Sequence, residues 1–346
     1  MIKRNWQFLL IAGFIILIFP VLITFMVSNM NQKDKKEEVK SGKIIEVDNG
    51  KYSITMEMED YIPCVLMAQM PIDSPQEVLK AQAVVIRTYI LRQMGKEEVI
   101  TSGELGLPYI SYGKLRDMWF REYRMEHSKE IGGMLGNLTG LGGSRIFEHN
   151  TDYLNNIMEK TRMKVLKNNG ELILPLFHGV SNGNTRSGKD ILGKDYAYLK
   201  SIKCDTDLQQ KDFLGIRYIT IEEFREKLAK NDIVIYKDKK ELLSSDNMDL
   251  QNIISMIDCA NRDKQGYSLN IKIGDTQIRS EDFANALDLK STAIEICEYE
   301  KGIRITTKGI GHGFGMSLAY AGQLAKNGMQ WQQILKTFYD ATISDY

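Results

Sequence analysis

The chain has 346 residues, which suits one large domain or two modest ones. At 43% hydrophobic and 26% charged it has the make-up of an ordinary folded protein, and with 45 basic and 45 acidic residues no global positive excess points to nucleic acid. Its four cysteines, Cys64, Cys204, Cys259 and Cys297, lie far apart without a C-x-x-C pair, so neither a disulfide framework nor a zinc ribbon is supported.

The cysteines read as scattered buried thiols, with one long-range pair left open for a domain outside the cytoplasm. Residues 8–27 are an uncharged apolar run of about 20 residues, the length that crosses a bilayer as a helix. Pro20 is tolerated in such a helix. Lys3 and Arg4 precede the run, and Trp6 sits where an interfacial aromatic belongs. No small-residue cleavage site follows, so residues 1–28 are expected to form an uncleaved transmembrane anchor. Lys33, Lys35, Lys36 and Lys40 come after it, so charge alone leaves its orientation open. Residues 29–42 are polar and read as a tether, and the folded body is expected over 43–346.

The body opens with two β-rich runs around Asn49-Gly50, a hairpin cue. Asp60 is expected to cap a helix with Pro63 in its first turn, running to about Gln69. After the Met70-Pro71 break, Ser74 as N-cap, Pro75 at N1 and Glu77 as capping box predict a helix to about Met94. Val78, Leu79, Ile86, Ile90 and Leu91 give it an apolar face, and Ala81 and Ala83 allow close packing. Residues 102–161 read as mixed helix and loop. A second hairpin over 163–177 turns at Asn169-Gly170, and a polar loop over 178–185 follows. Residues 219–230 are amphipathic, and 253–258 are helical or extended. A third hairpin turns at Gly274-Asp275, and Ser280 is expected to cap a short helix. A strand over 302–307 leads into a glycine-rich loop over 309–317. Two helices separated by Asn327-Gly328 close the chain. Hairpins mixed with helices, without βαβ alternation, predict an α+β fold.

Several motifs carry a resemblance. Glu59-Asp60-Tyr61, Met70-Pro71, Lys80-Ala81-Gln82-Ala83-Val84 and Arg87-Thr88-Tyr89 come first. Phe177-His178, Gly183 and Thr185 follow, then Tyr198-Leu199-Lys200-Ser201 with Asp205, then the run Gly309 to Ser317. Together they resemble the stage II sporulation protein D family, which includes the amidase-enhancer proteins of the cell wall. The resemblance implies helices and hairpins around a glycan-binding groove, preceded by one transmembrane helix. It implies a body outside the cytoplasmic membrane that acts on peptidoglycan glycan strands during spore engulfment, beside other cell-wall hydrolases or sporulation membrane proteins. Gln82, Arg87, Thr88, His178, Ser181, Thr185, His312, Gly313 and Ser317 are the residues it offers for substrate binding. It implies no cofactor. A zinc-capable D-T-x-x-C-Q segment of some members is absent, and His127 and His149 lack partners at ligand spacing, so no metal site is expected.

The family's catalytic form carries Glu before Met-Pro, as the acid of a lytic transglycosylase that protonates the glycosidic oxygen. Here that position is Gln69. A carboxamide hydrogen-bonds but has no proton to give near neutral pH, and losing a general acid costs about 10²–10⁴ in rate. Either the chain is a binding protein that kept the groove, or a neighbour among Glu59, Asp60, Asp73 and Glu77 supplies the proton, or the register differs. Arg87 is read equally as a ligand contact or as the partner of an internal carboxylate. Tyr89 is read equally as a stacking or a core residue. Three functions stay open: a lytic transglycosylase, a non-catalytic glycan-binding or hydrolase-enhancing module, and a scaffold without glycan contact.

Overall fold

The computed structural model describes residues 41–48, 53–126, 138–242 and 250–346. Ile44–Tyr346 forms one compact unit of helices and small sheets. The expected fold class needs one correction. Among the described residues no helix is long and apolar enough to cross a membrane. The run 8–27 that carried the expectation lies outside them, as do most of the tether, the turn at Asn49-Gly50 and His127. What the structure supports is the α+β body, and the described residues hold no transmembrane helix.

β1 (Ile44–Asp48) pairs antiparallel with β2 (Ser53–Glu57) and parallel with β3 (Val99–Thr101). β2 runs directly into α1 (Met58–Gln69), so the helix starts two residues ahead of the expected cap. Glu57, still extended, is the N-cap, and its carboxylate accepts from the Glu59 amide at 2.8 Å. Met70 ends the helix in an extended conformation, as Pro71 demands of its predecessor.

α2 (Gln76–Met94) begins after Pro75 with no side-chain cap. Glu77 does not close a capping box. It pairs with Lys80 at 2.6 Å and accepts from the Trp331 amide at 2.9 Å. The interior of α2, from Val78 to Thr88, is buried on every face, the pattern of a helix inside a core rather than on a surface. A single-turn helix α3 (Ser102–Leu105) leads to α4 (Tyr112–Glu126) and α5 (Leu138–Thr161). α1, α5, β4 (Lys164–Asn168), α10 (Leu318–Lys326) and α11 (Trp331–Phe338) all pack on α2. Val84, Leu166, Ile334 and Phe338 are among the buried residues of this main core.

β4 turns at Asn169 (φ 52°) and Gly170 (φ 85°) into β5 (Glu171–Leu172), the paired positive φ values that an Asn-Gly hairpin prefers. On its other edge β4 pairs with β16 (Thr342–Asp345), a strand absent from the sequence reading. β6 (Phe177–His178) pairs in parallel with β15 (Met316–Ser317), and α6 (Gly188–Ile191) is a single turn after the 178–185 loop.

A second hydrophobic cluster fills the space under β7 (Leu214–Ile219), β13 (Ile294–Tyr299) and β14 (Gly302–Lys308). α7 (Ile221–Lys230), capped by Thr220, contributes Phe224 and Leu228. A two-residue hairpin joins β8 (Tyr236–Lys237) to β9 (Lys240–Glu241). α8 (Leu250–Ser255) precedes a sheet of β10 (Ile257–Asp258), β11 (Asn270–Ile273) and β12 (Thr276–Arg279). The last two form the hairpin expected at Gly274-Asp275. Ser280 is the first residue of α9 (Ser280–Ala286) and not its cap, because β12 feeds straight into the helix.

Candidate functional site

The residues singled out from sequence fall into three groups. The first is an amide pair at the end of α1 and in the first half of α2. Gln69 is half-buried and Gln82 fully buried, and Gln82 Nε2 donates to Gln69 Oε1 at 2.7 Å. The remaining amide atoms, Gln69 Nε2 and Gln82 Oε1, are buried and have no partner. A donor and an acceptor thus stand unpaired beside one another, an arrangement that folded proteins generally avoid. A hydroxyl, being both donor and acceptor, complements such a pair.

None of the four neighbouring carboxylates hydrogen-bonds either amide. Glu59 is taken by Arg87 and Glu77 by Lys80 and Trp331, while Asp60 and Asp73 are exposed.

The second group, Arg87 and Thr88, is interior. The Arg87 guanidinium clasps Glu59 through Nε and Nη2, both at 2.7 Å, and Nη1 donates to the Thr161 carbonyl at 2.8 Å and the Lys164 carbonyl at 3.3 Å. Thr88 Oγ1 donates to Val84 O at 2.7 Å and accepts from Leu166 N at 3.0 Å. Both side chains are fully buried, and their polar atoms, offered from sequence as substrate contacts, are taken up in ties between α1, α2, α5 and β4. Tyr89 is half-buried, and its hydroxyl donates to Leu105 O at 3.1 Å.

The third group lies where the 178–185 and 309–317 loops run together. They are joined by the two-residue ladder of β6 with β15 and by paired bonds between Val180 and Ile310. Gly313 (φ 78°) is required here, because a Cβ would stand 2.5 Å from the Tyr267 ring. His178 is buried, and its Nδ1 lies 3.0 Å from Phe314 O. That bond places the proton on Nδ1 and leaves Nε2 a lone acceptor, buried without a partner. His312 is half-buried, its ring 6.1 Å from that of His178, and its Nδ1 accepts from Phe314 N at 3.1 Å. Both rings are held neutral. Burial, then the neighbouring His312, pull His178 down to about 3. Burial, then Arg186, pull His312 to about 4.

Three further expected residues of these loops serve the protein itself. Thr185 Oγ1 donates to Lys200 O at 2.7 Å and accepts from Ile202 N at 2.8 Å. Ser317 caps α10, accepting from Tyr320 N at 3.3 Å, and donates to Asp207 Oδ2 at 2.7 Å. Ser181 donates its backbone amide to the same Oδ2 at 2.8 Å, and its hydroxyl is buried without a partner.

Residues not foreseen complete this group. Arg186 is buried, pairs with Asp263 at 2.6 Å and lies 4.3 Å over the Phe314 ring. Tyr267 accepts from Asn182 N at 2.8 Å. The sequence signal pointed at Asp205, which is exposed and paired with Lys203, whereas the buried acid is Asp207 two residues on. Burial raises the Asp207 carboxyl above its ordinary range. The amide pair and the loop pair share a support, since α10, which Ser317 caps, packs against α2.

Residues 48–129 match the family described as stage II sporulation protein. Over 290 residues the chain is 25% identical to stage II sporulation protein D of Bacillus amyloliquefaciens, covering 82% of this chain and 72% of that one. Its likeness to stage II sporulation protein D of Bacillus subtilis (strain 168) is 24% over 294 residues, 82% of this chain and 73% of the relative. An uncharacterized protein of Brachyspira hyodysenteriae is 27% identical over 301 residues, 84% and 67% of the two chains. With the motifs in order along its length, the chain carries the stage II sporulation protein match over residues 48–129 and is similar to stage II sporulation protein D over most of its length.

Proposed function

We propose that this protein grips a peptidoglycan glycan strand during sporulation and does not itself cut it. One observation carries the reading: at the position where the family resemblance implies an acid, the Gln69–Gln82 pair leaves one donor and one acceptor open. Sugar hydroxyls match both atoms. The neutral imidazoles of His178 and His312, one with an unpartnered nitrogen, suit the same class of ligand. The nearby carboxylates are committed elsewhere or exposed, which weighs against a substitute acid beside Gln69. On this reading the protein works outside the cytoplasm, where peptidoglycan lies, alongside wall hydrolases that do the cutting.

The test incubates the protein with purified glycan strands. Sedimentation reads binding, and mass spectrometry reads 1,6-anhydro-muramyl products. The natural chain is expected to bind and release nothing. Gln69→Glu is expected to release product, the regained acid contributing about 10²–10⁴ in rate. Product from the natural chain overturns the reading and moves the search to another proton donor.

A further inference from the structure

Asp207 sits in the 3-10 turn Asp205–Gln209, outside both loops of the candidate site, and is fully buried. A single oxygen, Oδ2, receives one hydrogen bond from each loop: the Ser181 amide at 2.8 Å and the Ser317 hydroxyl at 2.7 Å. Ser181 lies three residues after His178. Ser317 lies three residues after Phe314, the residue whose carbonyl faces His178 Nδ1 and whose amide donates to His312 Nδ1. One carboxylate oxygen therefore sits equally far along the chain from one histidine and from the peptide groups that orient both. The two-residue ladder and the paired bonds between Val180 and Ile310 join the loops through their backbones, and Asp207 adds the tie from outside both of them.

We propose that Asp207 is the positioning residue of this site, holding the two loops at the spacing that sets the buried His178 behind the half-buried His312, the ring offered to a glycan, with Ser317 reaching Asp207 through its hydroxyl and Ser181 through its backbone amide. Burial backs this reading, since a carboxyl taken from water with one oxygen unpartnered is retained against a desolvation cost. The inference rests on the glycan-binding reading for its consequence, but its geometry can be read without glycan.

The experiment records the imidazole nitrogen resonances of His178 and His312 in the full chain, then the affinity for purified glycan strands, then a thermal melt. Asp207→Ala is expected to melt cooperatively, to shift both imidazole signals and to weaken glycan binding about tenfold or more, the loss of two buried hydrogen bonds to a charged group. Asp207→Asn keeps an oxygen acceptor of the same shape, and it is expected to restore both signals and to bring affinity back within about threefold. A merely structural residue would lower the melting temperature and leave the histidine signals in place, and that result overturns the proposal. If Asp207→Ala does not fold, Ser317→Ala removes one of the two bonds. An unmoved His312 signal in that variant equally overturns it. Should the signals shift while the natural chain binds no glycan, the positioning role stands and the glycan-binding reading falls.

Discussion

Gln82 and Arg87 lie five residues apart on one helix, both sealed from solvent, and their polar atoms fare in opposite ways. Arg87 finds carboxylate and carbonyl partners from α1, α5 and β4. Gln82 meets one partner, Gln69, and the two amides leave an acceptor and a donor over. A buried group with every bond made belongs to the fold. A buried group with bonds left over has room for a partner from outside the chain, water or ligand. The family motif over α2 therefore mixes two kinds of residue, and only partner geometry separates them.

Substitution at Arg87 tests the first half most heavily. Arg87→Met strands Glu59 and two backbone carbonyls, and denaturant unfolding should read a loss of about 3 kcal/mol, as for a broken buried ion pair whose survivor is partly wetted. A loss below about 1 kcal/mol would put Arg87 among the ligand contacts instead.

Next in size is the pH response of the His178 loop. Its imidazole sits at about 3 in the fold against 6.5 unfolded. The unfolded chain therefore takes up the proton first. Stability is complete above 6.5 and drains away as pH falls from there toward 3. The slope is about 1.4 kcal/mol per pH unit, or about 2 kcal/mol between pH 6.5 and 5. His312 is lowered in the same direction. Asp207 opposes them, because its raised carboxyl contributes most below 3.8 and loses that contribution as pH rises through its folded value. Unfolding curves of the natural chain and of His178→Gln, compared at the two pH values, isolate the histidine. Equal slopes in the two proteins would refute its burial as a neutral ring.

Thr88→Val should cost about 1.5 kcal/mol, since the Leu166 amide loses its acceptor inside the core. The smallest effect on folding is expected at Gln82. Gln82→Met removes an amide with an unpartnered oxygen at nearly constant volume, so stability should change by less than about 1 kcal/mol. Glycan affinity, measured on the same preparation, should fall by about tenfold. A large loss of stability with affinity intact would make Gln82 a second Arg87.

Much of the fold could be read in advance where the cue is local. Asn169-Gly170 needs only its own backbone preference to turn β4 into β5, and α2 needs only its apolar spacing. Caps were less legible. Asp60, Ser74 and Ser280 have the right chemistry, yet at α1 and α9 a strand runs directly into the helix, moving its start off the expected cap. β16 is four residues long and defined only by pairing with β4 across the chain. The site was legible as a set of motifs and not as a set of roles. Arg87 could be sorted only by seeing Glu59 28 residues before it and Thr161 74 residues after it. Arg186 and Asp263, 77 residues apart, gave no signal together. Asp205 drew attention because it matched a motif, while the turn that holds it points Asp207 inward.

The bond from Gln82 Nε2 to Gln69 Oε1 has a consequence for heredity. The atom that receives it is an oxygen in glutamine and in glutamate alike, so this hydrogen bond can be made by either residue at position 69. Glutamine and glutamate codons differ at the first base alone. A lineage can thus cross between the two residues at this position in one nucleotide change and keep the bond from Gln82.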